Sequence, residues 1–254
     1  MEPRGPLDLS LILACYNEER ILAANVAEIL RCLDTTRLAW EIIFVDDASP
    51  DGTTAVIDRL VAAHPDRAFR VIRHARNTGR GAAVTDGFRA ATGEVAGFID
   101  ADLEVGPWYI PACVAAIRDG ADVAIGRRSY RVTFRGLARH VLSAGYAALV
   151  RAALPARGLA DTETGYKFFR RSALLPLLDA TRDPGWFWDT EIMVRAWARG
   201  LRIAEIPCLY VRNFRKVSTV RVVRDSLGYL RRLRAFRREA WPALAAERRA
   251  AGRG

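Results

Sequence analysis

Short apolar runs alternate with amphipathic segments through the first half of the chain. The apolar runs predict strands at 9–14, 40–45, 69–72, 95–99 and 122–125. Apolar residues at helical spacing predict intervening helices near 21–33, 56–61 and 82–91. A chain that alternates strands and helices in this way predicts an α/β fold, with a doubly wound, mostly parallel sheet and flanking helices.

The second half of the chain is less regular than the first. Its pattern predicts helices over 135–153 and 189–199, and a strand over 201–206 that ends at Pro207. No linker or low-complexity block interrupts residues 1–218, so we expect them to form one catalytic domain. Residues 219–254 are expected to form a separate basic tail.

The tail is predicted to contain a C-terminal amphipathic helix over 220–241, stopped by Pro242. Residues 221–254 carry ten arginines against three acids, a net +7 within a formal net charge of +10. An apolar face beside an arginine-rich face suits a membrane surface. The alternative is a helix that packs on its own domain and exposes its charged face. No nucleic-acid-binding motif is recognised, so no nucleic-acid partner is expected.

Composition narrows the class of protein. Of the 254 residues, 51% are hydrophobic, which is enough to build a sizeable core. The four cysteines are far apart along the chain, which favours reduced thiols over disulfides or zinc. Neither a secretory signal nor an apolar stretch long enough to span a membrane is recognised, so a cytoplasmic location is expected.

Three acids at alternate positions follow the fourth predicted strand: Asp100, Asp102 and Glu104. In an extended backbone, alternate residues share one face, so these carboxylates would meet just past the strand's carboxyl end. Open α/β sheets bind their ligands at that edge. Three oxygen donors there suit Mg²⁺ or Mn²⁺ holding a phosphorylated substrate. The alternative is a solvated acidic turn, or a helix cap at Asp102.

Two further turns carry residues that suit a nucleotide. The turn at 46–53 offers acids that could accept hydrogen bonds from a ribose or a base, although Ser49 or Asp51 could instead cap the next helix. The turn at 77–81 places glycines and Arg80 at a helix start, where backbone N–H groups and a cation favour phosphate.

Several charged residues also have ordinary structural interpretations. Asp161 could pair with an arginine, and Glu191 could pair with Arg195 one helical turn later. The three histidines, His74 among them, have no obvious partners and are expected to be structural or exposed. The only lysines are Lys167 and Lys216, and a lysine in an arginine-rich chain favours a role for a compact charge.

In their order and spacing, these turns resemble family-2 glycosyltransferases, which have the GT-A fold. The resemblance covers about residues 8–218 and rests on CYNEE at 15–19, VDDASPDGT at 45–53, NTGRG at 77–81 and DADLE at 100–104. Later motifs resemble the polyprenyl-phosphate branch, which includes dolichyl-phosphate glucose and mannose synthases. They are GRR at 126–128, DTETGYKFF at 161–169, WDTE at 188–191 and the basic loop at 212–218.

The resemblance implies a role for each matching residue. Asp47 would read the nucleoside, and Asp100, Asp102 and Glu104 would hold the metal, with Glu104 standing where the family more commonly has glutamine. Nucleotide contacts are implied for Ala14, Tyr16, Glu18, Asp47, Arg80, Asp100, Ala101, Asp102, Arg212, Lys216 and Ser218. Binding of the acceptor phosphate is implied for Arg128, Arg139 and Ser143. Catalytic roles are implied for Asp100, Asp102, Arg128, Asp161 and Lys216.

The expected reaction is the inverting transfer of a sugar from a UDP- or GDP-linked donor to a polyprenyl monophosphate, on the cytoplasmic face of a membrane. A phosphate monoester is mostly dianionic at neutral pH and needs no general base. An acceptor hydroxyl, the alternative, would need one, and Asp161 or Asp189 would then serve. Either the amphipathic tail or a separate membrane-anchor protein is expected to hold the enzyme at the membrane.

Overall fold

A computed structural model describes residues 6–130, 150, 152–154, 156, 159, 161–212 and 222–252. The strands are β1 (Leu9–Cys15), β2 (Trp40–Asp46), β3 (Phe69–Arg73), β4 (Val95–Ile99), β5 (Val123–Tyr130), β6 (Tyr166–Arg170) and β7 (Ile203–Tyr210). The helices are α1 (Leu22–Asp34), α2 (Thr53–Ala63), α3 (Arg80–Ala90), α4 (Ile110–Arg118), α5 (Arg171–Ala180), α6 (Trp188–Ala198), α7 (Val222–Glu239) and α8 (Trp241–Ala251). A short 3₁₀ turn, Pro107–Tyr109, precedes α4.

The seven strands form one sheet in the order β3–β2–β1–β4–β6–β5–β7. Strand β1 lies between β2 and β4 and is parallel to both, whereas β6 runs antiparallel between β4 and β5. The chain moves outward from β1 to β3 and then returns to β4 on the other side of β1. Such a reversal opens a crevice at the carboxyl ends of the strands. The predicted mostly parallel α/β sheet is confirmed.

Helices cover both faces of the sheet. One apolar cluster joins one face to α1, α2 and α4, and a second joins the other face to α3, α5 and α6. In β1, Leu11 and Leu13 belong to the first cluster and Ile12 to the second, and all three are fully buried. Strands that are buried on both faces are apolar throughout, which explains the uninterrupted apolar runs.

Two prolines do not end elements as expected. Strand β7 continues through Pro207 to Tyr210, because it forms the edge of the sheet, where a proline is tolerated. Strand β5 likewise extends to Tyr130, pairing with β7 along its whole length. Pro242 lies in the first turn of α8, a favoured position for proline, so the tail contains two helices instead of one. Helix α5 has no counterpart among the predicted elements.

Part of the apolar side of α7 packs on the protein itself, whereas Leu227 on that side is 52% exposed. Tyr229, Leu233 and Phe236 are buried against α6, and the ring of Phe236 lies edge-on to Phe187 at a centroid distance of 5.3 Å. The hydroxyl oxygens of Tyr229 and Thr190 lie 2.6 Å apart, within hydrogen-bond distance. This packing corresponds to the alternative stated above for an amphipathic tail. The domain boundary at residue 218 and the membrane contact of the tail stay predictions.

Two more expectations concern membranes and the region near residue 140. Within the described ranges, no helix combines the length and the apolar character needed to cross a membrane. The helix expected over 135–153 lies mostly outside the described residues. The four cysteines are free thiols, and Cys15, Cys113 and Cys208 are buried.

Candidate active site

The carboxyl ends of β1, β2 and β4 lie side by side, and the turns that follow β1 and β2 are in contact. The N–H of Asp47 donates to the carbonyl of Cys15 at 3.0 Å, and the N–H of Asn17 donates to Ser49 Oγ at 3.3 Å. Asn17 and Ala48 have positive φ values of 61° and 56°. Left-handed conformations at non-glycine residues cost energy and occur often at functional turns. The turns after β1 and β2 therefore adjoin at the edge of the sheet where the sequence predicts the site.

The first turn contributes three of the implied nucleotide contacts. Ala14 and Tyr16 are half-buried, whereas Glu18 is only 5% exposed. The N–H of Glu18 donates to Thr53 Oγ1 at 2.8 Å, which attaches this turn to the start of α2. Glu18 therefore belongs to the buried wall of the turn, and Ala14 and Tyr16 to its accessible part.

Asp47 is buried and connects β2 to the turn at 77–79. Its carboxylate accepts hydrogen bonds from the N–H and the hydroxyl of Thr78, both at 2.7 Å, and from the N–H of Gly79 at 2.9 Å. His74 Nδ1 lies 2.7 Å from the same carboxylate, and its Nε2 lies 3.1 Å from Asp86. His74 is thus a structural residue, one of the two roles expected for it, and its partners were not evident in the sequence because both are distant along the chain. That Asp47 reads the nucleoside stays a prediction.

The acidic segment after β4 is a turn, so the reasoning from an extended backbone is wrong here. The N–H of Leu103 donates to the carbonyl of Asp100 at 3.1 Å, and Leu103 has a φ of 52°. Asp102 is 8% exposed, and Glu104 accepts a hydrogen bond from the hydroxyl of Tyr210. In the part of the chain that is described, no three His, Cys, Asp or Glu side chains form a metal-binding group. Glu104 is therefore not grouped with Asp100 and Asp102 in the described structure, and its role as a metal ligand stays a prediction.

Asp100 and Asp102 nevertheless fit a divalent cation. Mg²⁺ commonly binds one or two carboxylates and completes its coordination with water and substrate phosphates. The side chain of Asp100 is 42% exposed, and the backbone leaves room for it, because a Cβ at Gly165 would lie 1.8 Å from its Oδ2. Ala101, between the two acids, is buried, and its carbonyl accepts a hydrogen bond from Asn25 at 2.8 Å.

A buried ion-pair network lies next to Asp100. Arg80 Nη2 donates to Asp100 Oδ1 at 2.8 Å, and Arg80 Nη1 donates to Asp189 in α6. Lys167 in β6 is fully buried, and its Nζ donates to the other oxygen of Asp189 at 2.6 Å. The guanidinium of Arg80 also lies 4.8 Å from the ring centroid of Phe98. The network connects α3, α6, β6 and the acidic turn.

Burial affects the two cations of this network differently. Desolvation disfavours the charge of Arg80, but Asp100 and Asp189 outweigh it and raise the pKa of the guanidinium. Desolvation dominates at Lys167 and lowers the pKa of its ammonium, although Asp189 opposes the shift. The sequence reasoning did not assign Lys167 to the site. Two signals pointed to it: the scarcity of lysine and its place in the DTETGYKFF motif at 161–169.

A second ion pair lies at the carboxyl end of β5. Nε and Nη2 of Arg128 donate to the two oxygens of Asp161 at 2.7 and 2.9 Å. Burial raises the pKa of Asp161, but the hydrogen bonds and the charge of Arg128 outweigh burial and hold that pKa below its usual value. Asp161 therefore stays ionised and braces one edge of the guanidinium. Glu191 adopts its structural role, paired with Arg195 at 2.7 Å.

The remaining implied residues lie near or beyond the limits of the described segments. Arg212 is exposed, two positions after β7. Four others lie outside the described residues, and their roles stay predictions: Arg139, Ser143, Lys216 and Ser218.

Comparison with known proteins places this fold and site in a family. Residues 10–177 match the profile described as Glycosyl transferase family 2. Glycosyltransferase AglD of Haloferax volcanii is 36% identical over 87% of this chain and 36% of its own length. The dolichyl-phosphate beta-glucosyltransferase of Saccharomyces cerevisiae is 31% identical over 78% of this chain and 65% of its own length. This chain thus spans less than two thirds of either relative.

Solved structures agree on the fold. Glucosyl-3-phosphoglycerate synthase from Mycobacterium tuberculosis, in complex with Mn²⁺, UDP and phosphoglyceric acid, superposes with a TM-score of 0.65. It is 21% identical and covers 90% of this chain and 76% of its own. The likeness supports the GT-A architecture predicted from the motifs. Because the profile match covers most of the chain, this protein belongs to glycosyl transferase family 2.

Proposed function

We propose that this protein transfers a sugar from a nucleotide-diphosphate donor to a polyprenyl monophosphate, with inversion at the anomeric carbon and with Mg²⁺ or Mn²⁺. The Saccharomyces relative is named for glucosyl transfer to dolichyl phosphate, which supports the acceptor class. The Mycobacterium structure was solved with Mn²⁺ and UDP, which supports a divalent cation and a nucleotide donor. The sugar and the base are left open.

The observation that carries the proposal is the environment of the two acids that could act as general bases. Asp161 is bound through both oxygens by Arg128. Asp189 is 3% exposed and bound by Arg80 and Lys167. A general base must reach the proton that it removes and have a pKa near the working pH. Arg128 holds the pKa of Asp161 below its usual value, and Asp189 is buried and held by two cations. Neither acid therefore suits this role, which favours an acceptor phosphate that is already mostly dianionic.

In this proposal each side chain of the crevice has a task. The nucleotide would bind along the ends of β1 and β2, beside the turn that Asp47 supports. Asp100 and Asp102 would hold the cation, whose charge offsets the charge that develops on the leaving diphosphate. Arg128, kept in orientation by Asp161, would bind the acceptor phosphate through paired N–H···O contacts.

The bond changes need no proton transfer. A phosphate oxygen of the acceptor attacks the anomeric carbon while the bond from that carbon to the donor diphosphate breaks on the opposite face. The nucleoside diphosphate leaves with the electron pair, and an α-linked donor gives a β-linked product. Catalysis then depends on alignment and on charge stabilisation at the diphosphate.

The acceptor requires the enzyme to work at a membrane. The prenyl chain stays in the bilayer, so the phosphate is presented at the surface. Exposed arginines on α7, such as Arg231, Arg234 and Arg238, suit anionic headgroups, at about 1 kcal/mol for each residue near the surface. Attachment to the cytoplasmic face, with or without a membrane-anchor partner, forms part of the same proposal.

A product assay by mass spectrometry tests the reaction. The protein is incubated with Mg²⁺ or Mn²⁺ and with UDP-glucose, UDP-N-acetylglucosamine, UDP-N-acetylgalactosamine or GDP-mannose, each with polyprenyl phosphate or polyprenol. We expect a glycosyl phosphoprenol from one donor and no product from the alcohol. A product from polyprenol alone would contradict the proposal.

Neighbouring arginines of β5 provide a matched control for the acceptor site. Arg127 and Arg128 project to opposite faces of the strand, and the side chain of Arg127 is 52% exposed. Arg128→Met is expected to abolish lipid product, whereas Arg127→Met is expected to retain it. Equal losses in the two variants would argue against a specific phosphate contact at Arg128.

A further inference from the structure

We propose that Lys167 is a positioning residue for the donor site, which it serves by holding the carboxylate of Asp100 in place through Asp189 and Arg80. The inference rests on the proposed function, because it takes Asp100 as part of the metal and diphosphate site. Lys167 itself is fully buried in β6, and the reaction proposed above gives it no task.

One route from Lys167 to Asp100 runs through side chains. Lys167 Nζ lies 2.6 Å from one oxygen of Asp189, and the other oxygen of Asp189 accepts from Arg80 Nη1. Arg80 then donates to Asp100 Oδ1 through Nη2 at 2.8 Å and Nε at 3.3 Å. Each charge in this row has a neighbour of opposite sign, which is the arrangement that buried charges require.

A second route runs through the backbone before β6. In the register of the sheet, Lys167 lies opposite Phe98, which brings the residues before β6 next to Asp100. Lys167 Nζ donates to the carbonyl of Thr164, and the carbonyl of Gly165 accepts from the N–H of Asp100 at 2.9 Å. Lys167 therefore supports both the side chain and the backbone of Asp100.

Loss of the lysine would redistribute the charges of the row. Asp189, at 3% exposure, would keep Arg80 as its cation, whereas Asp100 is far more accessible to water. Arg80 is then expected to move toward the more buried carboxylate, because an uncompensated charge costs more where water is excluded. Asp100 would lose its fixed orientation. Mutation of a group that orients a metal ligand typically lowers metal affinity by about tenfold to a hundredfold.

The test uses a neutral replacement of the buried pair. The double variant Lys167→Met/Asp189→Asn removes one cation and one anion together, so the core stays balanced and is expected to fold. Binding of UDP and of GDP in the presence of Mn²⁺ is measured by calorimetry without any acceptor, and thermal unfolding is measured in parallel. We expect near wild-type unfolding but about tenfold to a hundredfold weaker nucleotide binding, because Arg80 loses its charged partner at position 189 and the carbonyl of Thr164 loses its ammonium donor. Arg89→Met, in an exposed ion pair on α3, is the control.

Lys167→Met alone provides a second test if the double variant does not fold. Asp189 keeps Arg80 as its cation, so this variant is expected to fold and to show the same loss of binding, because Arg80 is drawn away from Asp100. In steady-state assays, KM for the donor should rise while KM for the lipid phosphate stays unchanged.

The outcomes separate this inference from the proposed function. Folded variants that bind Mn²⁺ and nucleotide as tightly as the wild type would limit Lys167 to a structural role and overturn the inference. A wild-type protein that binds neither nucleotide would overturn the donor site itself, and the positioning role with it.

Discussion

Replacing Gly165 with alanine is expected to disable the site while leaving the fold intact. Gly165 directly precedes β6, and an added Cβ would lie 1.8 Å from Oδ2 and 2.2 Å from the carboxyl carbon of Asp100. Real Cβ contacts are essentially never closer than 3.0 Å, so the carboxylate must move by at least about 1.2 Å. That movement would also separate Asp100 from Arg80.

The two consequences differ in size. The side chain of Asp100 is 42% exposed and can rotate toward solvent, so the free energy of unfolding should change by less than about 1 kcal/mol. Displacing a positioned group by about 1 Å can lower the rate by about 10²-fold. That factor corresponds to about 2.7 kcal/mol of transition-state stabilisation. The assay measures kcat/KM with saturating lipid acceptor, alongside urea unfolding.

Gly228 in α7 supplies the control. A Cβ there would meet no atom within 4 Å, so Gly228→Ala should leave kcat/KM unchanged. It should raise the free energy of unfolding by up to about 1 kcal/mol, because alanine is the better helix former. If Gly165→Ala retained the kcat/KM of the wild type, the orientation of Asp100 would not matter for catalysis, and the reasoning would be refuted.

Three other measurements check separate parts of the structure. Phe236→Ala should lower the free energy of unfolding in urea by about 3–5 kcal/mol, because its ring is buried against Phe187; unchanged stability would indicate that α7 does not pack on the domain. The pKa of Asp161 is lowered in the folded protein, so its pairing stabilises the fold above about pH 4 and is lost as the pH falls through the folded value. The difference in stability between wild type and Asp161→Asn should therefore shrink on acidification, and a constant difference would exclude this pairing. Burial raises the pKa of the Cys113 thiol, and that of Cys208 to about 12, so neither should react with a thiol reagent near pH 8 before unfolding; rapid labelling of the native protein would contradict their burial.

The sequence by itself determined the α/β architecture and the edge of the sheet at which the candidate site residues lie. Strands buried on both faces must be apolar throughout, and the helices that cover them must be amphipathic, so both patterns are legible over a few residues. The turns after β1, β2 and β4 are equally local, since a strand end and the motif that follows it are adjacent in the chain. Asp100 and Arg80 could therefore be placed at the crevice from the sequence.

Only the tertiary structure decided which charges meet. Arg80 and Asp189 are 109 residues apart, and Lys167 and Asp189 are 22 apart, so no periodicity records their pairing. Glu104 turns to Tyr210, 106 residues later, because Leu103 adopts a left-handed conformation that an extended-strand pattern does not predict. Long-range contacts of this kind depend on how the elements pack, which local sequence patterns do not encode.

The tail shows the same division. An apolar stripe beside arginines is typical both of a helix at a membrane surface and of a helix packed on its own domain. The burial of Tyr229, Leu233 and Phe236 against α6 shows what that part of the stripe covers. The sequence determined that this helix has an apolar side. Only the packing of α7 on α6 decided what the buried part of that side covers, because an apolar stripe can pack against any apolar surface.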